Sequence, residues 1–171
     1  MIGGAARLLP ALAAVLLAAC AAVPPIDSEQ RARAPLHEQR LARLSGVDSW
    51  ALEGRLAVSD EAEGGSGQLS WRQNEGSSRM DFHGALGRGA WRLVADESGA
   101  ELEFADGTRH RARSIDSLVR RHVGWSVPVE ALAWWVRGLA APGRIQQRLL
   151  DEEGRLSELR QHGWNIEFGR Y

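Results

Sequence analysis

The chain has one cysteine, Cys20, in 171 residues. A lone thiol closes no internal disulfide and supplies no multi-cysteine zinc site, which excludes a disulfide scaffold and a zinc finger or ribbon. Lysine is absent: all 21 basic residues are arginine, set against 22 acidic ones. A formal charge of −1 lacks the basic excess on which nucleic-acid binding draws, so no nucleic-acid partner is expected. The apolar stretch Leu8–Ala19 is 12 residues long, and a membrane-spanning helix needs roughly 20. Tyrosine occurs once, methionine twice and phenylalanine three times, yet there are 7 tryptophans. With 44% hydrophobic and 25% charged residues the composition is that of a folded globular domain, and it is the tryptophans that call for an account.

Residues 1–19 read as a secretory signal, with Arg7 in the positive region and Leu8–Leu17 as the apolar core. It ends Leu17-Ala18-Ala19-Cys20. This is similar to a bacterial lipobox, which makes Cys20 the lipid attachment site and the first residue of the mature chain. Two or more acyl chains, each contributing about 0.8 kcal/mol per buried CH₂, anchor a protein stably. Ala21 and Ala22 follow where an aspartate would favour retention at the inner membrane, so the expected location is the periplasmic face of the outer membrane. Residues 20–30, with Pro24-Pro25, read as a flexible tether from that anchor. Residues 31–171 read as a single domain, expected to be monomeric.

Glu29–Leu44 has the composition of an amphipathic helix, interrupted or started near Pro35, with Gly46 as its stop. From Trp50 the period changes to two. Trp50, Leu52, Gly54, Leu56 and Val58 share one face of a half-buried antiparallel strand. Asp60–Gly67 reads as a flexible hairpin loop. Leu69 and Trp71, Met80 and Phe82, Trp91 and Leu93, and Leu102 and Phe104 mark four further strands. Asp106-Gly107 signals a type I′ hairpin turn into a polar edge strand at Thr108–Arg113.

Ser114 suits the cap of a helix running to about Val123 and ending at Gly124. Pro128 suits the first turn of a second helix, on which Val129, Leu132, Trp135 and Val136 form an apolar stripe ending at Gly138. Ile145–Leu150, Arg155–Arg160 and Trp164–Phe168 read as three last strands. Strands, then two helices, then strands imply an α+β fold: one curved antiparallel sheet with helices against one face.

No catalytic constellation emerges, and the chain is not expected to be an enzyme. His37, His83, His110, His122 and His162 lack metal-ligand spacing and are expected in solvent or in turns, with no metal. Gly64-Gly65-Ser66-Gly67 lacks the following lysine and helix of a phosphate loop. Arg109, Arg111 and Arg113 read as charged decoration of an edge strand, and Glu101 and Glu103 as a solvated pair. The tryptophans fall on apolar strand faces and on the second helix. They fit either a large aromatic core or the wall of an apolar pocket. On the pocket reading its lining would be Trp50, Leu52, Leu56, Leu69, Trp71, Met80, Phe82, Trp91, Leu93, Leu132 and Trp135. Leu86, in the Gly/Ala-rich loop Gly84–Gly89, folds back into the core, stands as a lone exposed leucine, or is an apolar finger that meets a bilayer.

These residues resemble the LolB family of outer-membrane lipoprotein receptors. Trp50-x₃-Gly54-Arg55-Leu56-Ala57-Val58 looks like the family's first strand, and Leu69-Ser70-Trp71-Arg72-Gln73 like its second. Ala85-Leu86-Gly87 is similar to its Pro-Leu-Gly turn, with Ala85 in place of the proline. Gly124-Trp125-Ser126-Val127-Pro128-Val129 followed by Gly138-Leu139-Ala140-Ala141-Pro142, and the segment Gly154–Tyr171, resemble its helix-to-loop region and late hairpin.

The resemblance implies an incomplete β-barrel whose open face is covered by helices, with acyl chains held in an apolar cavity. It implies a receptor that accepts lipoproteins from the periplasmic carrier LolA and inserts them into the inner leaflet of the outer membrane, with Leu86 helping insertion. No cofactor is implied beyond the covalent acyl and diacylglycerol modification at Cys20. The family pattern continues with further strand past the position of Tyr171, so a C-terminal strand is expected to be missing. The alternatives are an envelope lipoprotein of similar fold that binds a lipid or signal without passing cargo on, and a purely structural lipoprotein.

Overall fold

A computed structural model describes residues 28–59, 64–85 and 89–169. Cys20, Leu86, the signal segment and most of the tether lie outside these residues. Helix α1 (Ser28–Leu44) takes in Ser28–Gln30 at the end of the stretch read as tether, and it runs through Pro35 rather than starting there.

Among the described residues, nine strands follow the alternation seen in the sequence. They are β1 (Trp50–Ser59), β2 (Gly64–Asn74), β3 (Ser77–Gly84), β4 (Trp91–Asp96), β5 (Gly99–Phe104), β6 (Arg109–Ala112), β7 (Ile145–Leu150), β8 (Leu156–Gln161) and β9 (Trp164–Glu167). All pairings are antiparallel between chain neighbours. The strands divide into two hydrogen-bonded sheets, a six-stranded β1–β6 and a three-stranded β7–β9, rather than one continuous sheet. Neither closes, so the barrel is incomplete, and the α+β assignment stands.

Several local expectations are corrected. Gly64–Gly67 belongs to β2, not to a loop. The β5–β6 connection is the four-residue Ala105–Thr108, in which only Gly107 has positive φ (84°). A type I′ turn needs two such residues. That turn geometry is instead at His162-Gly163 (φ 52° and 81°), a two-residue link between β8 and β9. Glu101 and Glu103 are not simply solvated: each stands opposite an arginine of the edge strand β6, giving the ion pairs Arg111–Glu101 and Arg109–Glu103 (2.9 Å).

Between the sheets come the short helix α2 (Ile115–Leu118), a π-helical turn (Val119–Val123) and α3 (Val129–Trp135). Ser114 caps α2 by accepting from the Ser117 backbone N–H, and Gly124 (φ 83°) ends the π turn, as the sequence suggested. Pro128 lies at the cap of α3, one residue earlier than expected, and Val136 falls outside the helix and is exposed. α2 packs against β5, β6 and α3. These segments form a lid over the concave face of the larger sheet.

Candidate functional site

Inward-facing residues at every second position of β2–β5 meet the lid. Leu69, Trp71, Met80, Phe82, Trp91, Leu93 and Leu102 are buried against Leu118, Val119 and Val129. The strand β1 forms one edge of the sheet, and its inward row is less covered: Trp50, Leu52, Leu56 and Val58 are only half-buried. Gly54 lies in the middle of that row, opposite Leu69, and a side chain built there would meet nothing within 4 Å. The apolar face therefore has an open notch at its β1 edge.

The structure thus brings together all the residues proposed to line a pocket except Trp135, which belongs to a second core. There it packs with Ala131, Ala141, Leu150, Leu156 and Leu159 against the smaller sheet, and Leu132 touches both cores. The split has a helical cause. Val129 and Trp135 are six positions apart, so they project about 120° away from sharing one direction, at 100° per residue. Among the other tryptophans, Trp71 is buried and donates from Nε1 to Ser78 Oγ (2.9 Å), Trp125 and Trp134 are half-buried, and Trp164 is 40% exposed.

Two open clefts lie where the β2–β3 turn meets α3. One, about 300 Å³, is lined by Trp71, Ser78, Ala95, Ala100, Val129 and Ala133 among others. The second, about 440 Å³, is lined by Leu44, Val47, Trp50, Ala133, Trp134 and Arg137 among others. They share Gln73, Gly76 and Ala133 and so adjoin. Arg137 lies between the indoles of Trp50 (5.7 Å) and Trp134 (4.9 Å). It donates to the carbonyls of Ala133 (3.0 Å) and Val47 (3.1 Å), and burial pushes its pKa below the ordinary arginine value.

An aromatic group closes the opposite end of the lid. Phe82 stacks on Trp91 (5.3 Å), and Trp125 meets both edge-on, at 5.1 and 6.0 Å. Trp125 also covers Gly65, where a Cβ would stand 3.3 Å from its ring. At this end β3 closes at Gly84 and β4 opens at Trp91. Trp125 is the lining residue that alternation missed. It sits in the irregular link between the π turn and α3, and no period marks it. The only available signal was an indole beside Gly124 and Pro128.

The histidines divide. His162 is in a turn and His83 is exposed, as expected. His37 is buried on α1, with Nδ1 donating to Gly154 O (3.0 Å), and His110 stacks on His122 (3.7 Å) across β6 and the π turn. Among the described residues no cluster of three metal-ligand side chains occurs, and no helix is long and apolar enough to cross a membrane.

An open antiparallel half-barrel with an apolar concave face, a helical lid and a notched edge defines a class, the half-barrel domains suited to holding apolar chains. The model of the family described as outer membrane lipoprotein LolB matches residues 48–171. The chain is 38% identical over 164 residues to the outer-membrane lipoprotein LolB of Pseudomonas paraeruginosa (strain PA7), covering 95% of this chain and 80% of that protein. It is 37% identical to that of Stutzerimonas stutzeri (strain A1501), covering 96% and 81%. To that of Pseudomonas fluorescens (strain Pf-5) it is 36% identical, covering 91% and 77%. The chain belongs to the LolB family. It is an outer-membrane lipoprotein of lipoprotein localisation, from a non-catalytic trafficking family whose dealings are with lipoprotein cargo and the outer membrane.

Proposed function

We propose that this protein accepts lipoproteins from the carrier LolA, holds their acyl chains against the apolar face beneath its lid, and releases them into the outer membrane. It does so without catalysis, metal or dissociable cofactor, and as a monomer. Acyl groups on Cys20 hold it at the destination leaflet, and the Leu86 loop enters that leaflet to ease release. The observation that carries this reading is the half-covered row Trp50, Leu52, Leu56 and Val58, open above Gly54.

The driving force is graded burial. Each CH₂ removed from water contributes about 0.8 kcal/mol, so two extra buried methylenes at each successive site favour onward transfer roughly tenfold. The interior must hold the chains better than the carrier and less completely than the bilayer. An acyl-chain fluorophore such as dansyl-undecanoic acid tests the reading. It should bind the protein and be displaced by a purified triacylated lipoprotein but not by the same polypeptide without lipid. No binding would leave a purely structural lipoprotein as the better account.

A further inference from the structure

The indole N–H of Trp91 is buried and meets no hydrogen-bond acceptor among the described residues. It contrasts with the two other buried indoles. Trp71 donates to Ser78, and Trp135 donates to Gln161. Buried polar groups are nearly always paired, because an unmade hydrogen bond carries the whole desolvation cost of the donor. An orphan beside two satisfied indoles marks a place open to a partner beyond the described residues.

The surroundings of Trp91 fit such a partner. Its neighbours are the rings of Phe82 and Trp125, and Phe104 stands opposite it on β5. None of these offers a strong acceptor. Trp125 is the one ring of the group that no strand carries. It is half-buried, carried on the link between the π turn and α3, and preceded by Gly124 in the left-handed region. The strand beneath it has glycine at 65, where an added Cβ would meet only the Trp125 ring, at 3.3 Å.

We propose that Trp91 Nε1 donates to an acyl carbonyl oxygen of the cargo lipid, in the space that Trp125 covers in this structure and vacates on loading. This rests on the acyl-binding reading above and adds to it a polar contact that reads where the hydrocarbon chain begins. A site of hydrocarbon contacts alone holds a chain at any depth, whereas one donor in an apolar wall sets its register.

The test compares 1,2-dioleoylglycerol with its 1,2-dioleyl ether analogue as competitors of dansyl-undecanoic acid on the full protein. The two share their chains, but only the ester has carbonyls. The expected result is that the diester competes at roughly fivefold lower concentration, as one net hydrogen bond gives, and that Trp91→Phe brings the two lipids level. Trp125→Ala should tighten both while keeping their ratio. In the unmutated protein, the Trp91 indole proton resonance should move downfield with the diester and not with the diether. Equal competition by both lipids, or a preference that survives Trp91→Phe, overturns the proposal while leaving acyl binding intact. If dansyl-undecanoic acid does not bind at all, the acyl-binding reading fails and this inference falls with it.

Discussion

Gln161 Oε1 accepts from Trp135 Nε1 at 3.1 Å, tying the lid helix α3 to strand β8 of the smaller sheet. The same fully buried amide accepts from Ala141 N (2.9 Å) and donates to Ala141 O (2.6 Å). One side chain thus satisfies an indole, a backbone donor and a backbone acceptor that would otherwise be buried unpaired. Gln161→Leu keeps the volume and abandons all three. At roughly 1–3 kcal/mol for each stranded group, partly relieved by relaxation, the loss should be about 3 kcal/mol. Urea unfolding measures it, and a loss below about 1 kcal/mol would show that this tie does not hold the lid.

Two glycines on neighbouring strands should respond oppositely to the same change. At Gly67 a Cβ would be forced into His83 O and would lie 2.6 Å from the Phe82 ring and 2.8 Å from Gly84 Cα, so Gly67→Leu should disrupt the β2–β3 pairing. At Gly54 the space is open, and a side chain there suits a strand better than glycine does. Gly54→Leu should therefore keep or slightly raise thermal stability while filling the notch, and should weaken dansyl-undecanoic acid binding several-fold.

Acidity should loosen the packing of α1. Burial holds the pKa of His37 below its ordinary value, opposed by the Gly154 carbonyl it bonds and by Glu38, and reinforced by Arg148 and Arg40. A histidine with a lowered folded pKa favours the neutral form in the folded state. The stability it lends is complete above the unfolded value of about 6.5 and is lost as pH falls toward the folded value. His122, lowered by burial and by the neighbouring His110 and Arg121, acts in the same direction. Melting temperature should fall between pH 7 and pH 5, and His37→Asn, which retains a donor for Gly154 O, should fall less steeply.

Most of this architecture can be read in the residues, because the sheet faces alternate cleanly. Trp50, Leu52, Leu56, Leu69, Trp71, Met80, Phe82, Trp91 and Leu93 keep strict period two, and all lie on the concave face. Illegible features depend on contacts distant in sequence. His37 is a polar residue on a polar helix, and only the approach of Gly154 from the β7–β8 hairpin makes it a core residue. Trp135 follows the apolar stripe of α3, but which sheet it meets depends on where β8 returns. His162-Gly163 reads as a turn between the last two strands, and only its type I′ geometry escaped, because His162 lacks the usual Asn or Asp signature.

Leu86 is expected to act on delivery alone. Leu86→Glu puts a charge on the loop proposed to enter the leaflet, where a buried carboxylate is costly. Circular dichroism and dansyl-undecanoic acid binding should be unchanged, and the rate of cargo release into liposomes should drop about tenfold or more. Unaltered release would remove Leu86 from the mechanism.

On the proposed route, cargo passes through this protein to the membrane. The most direct measurement follows a labelled lipoprotein presented as its LolA complex to the acylated, liposome-anchored protein, with no nucleotide added. Label should leave LolA, appear transiently on this protein and end in the lipid bilayer. Label that remains on LolA at the level of empty liposomes would contradict it.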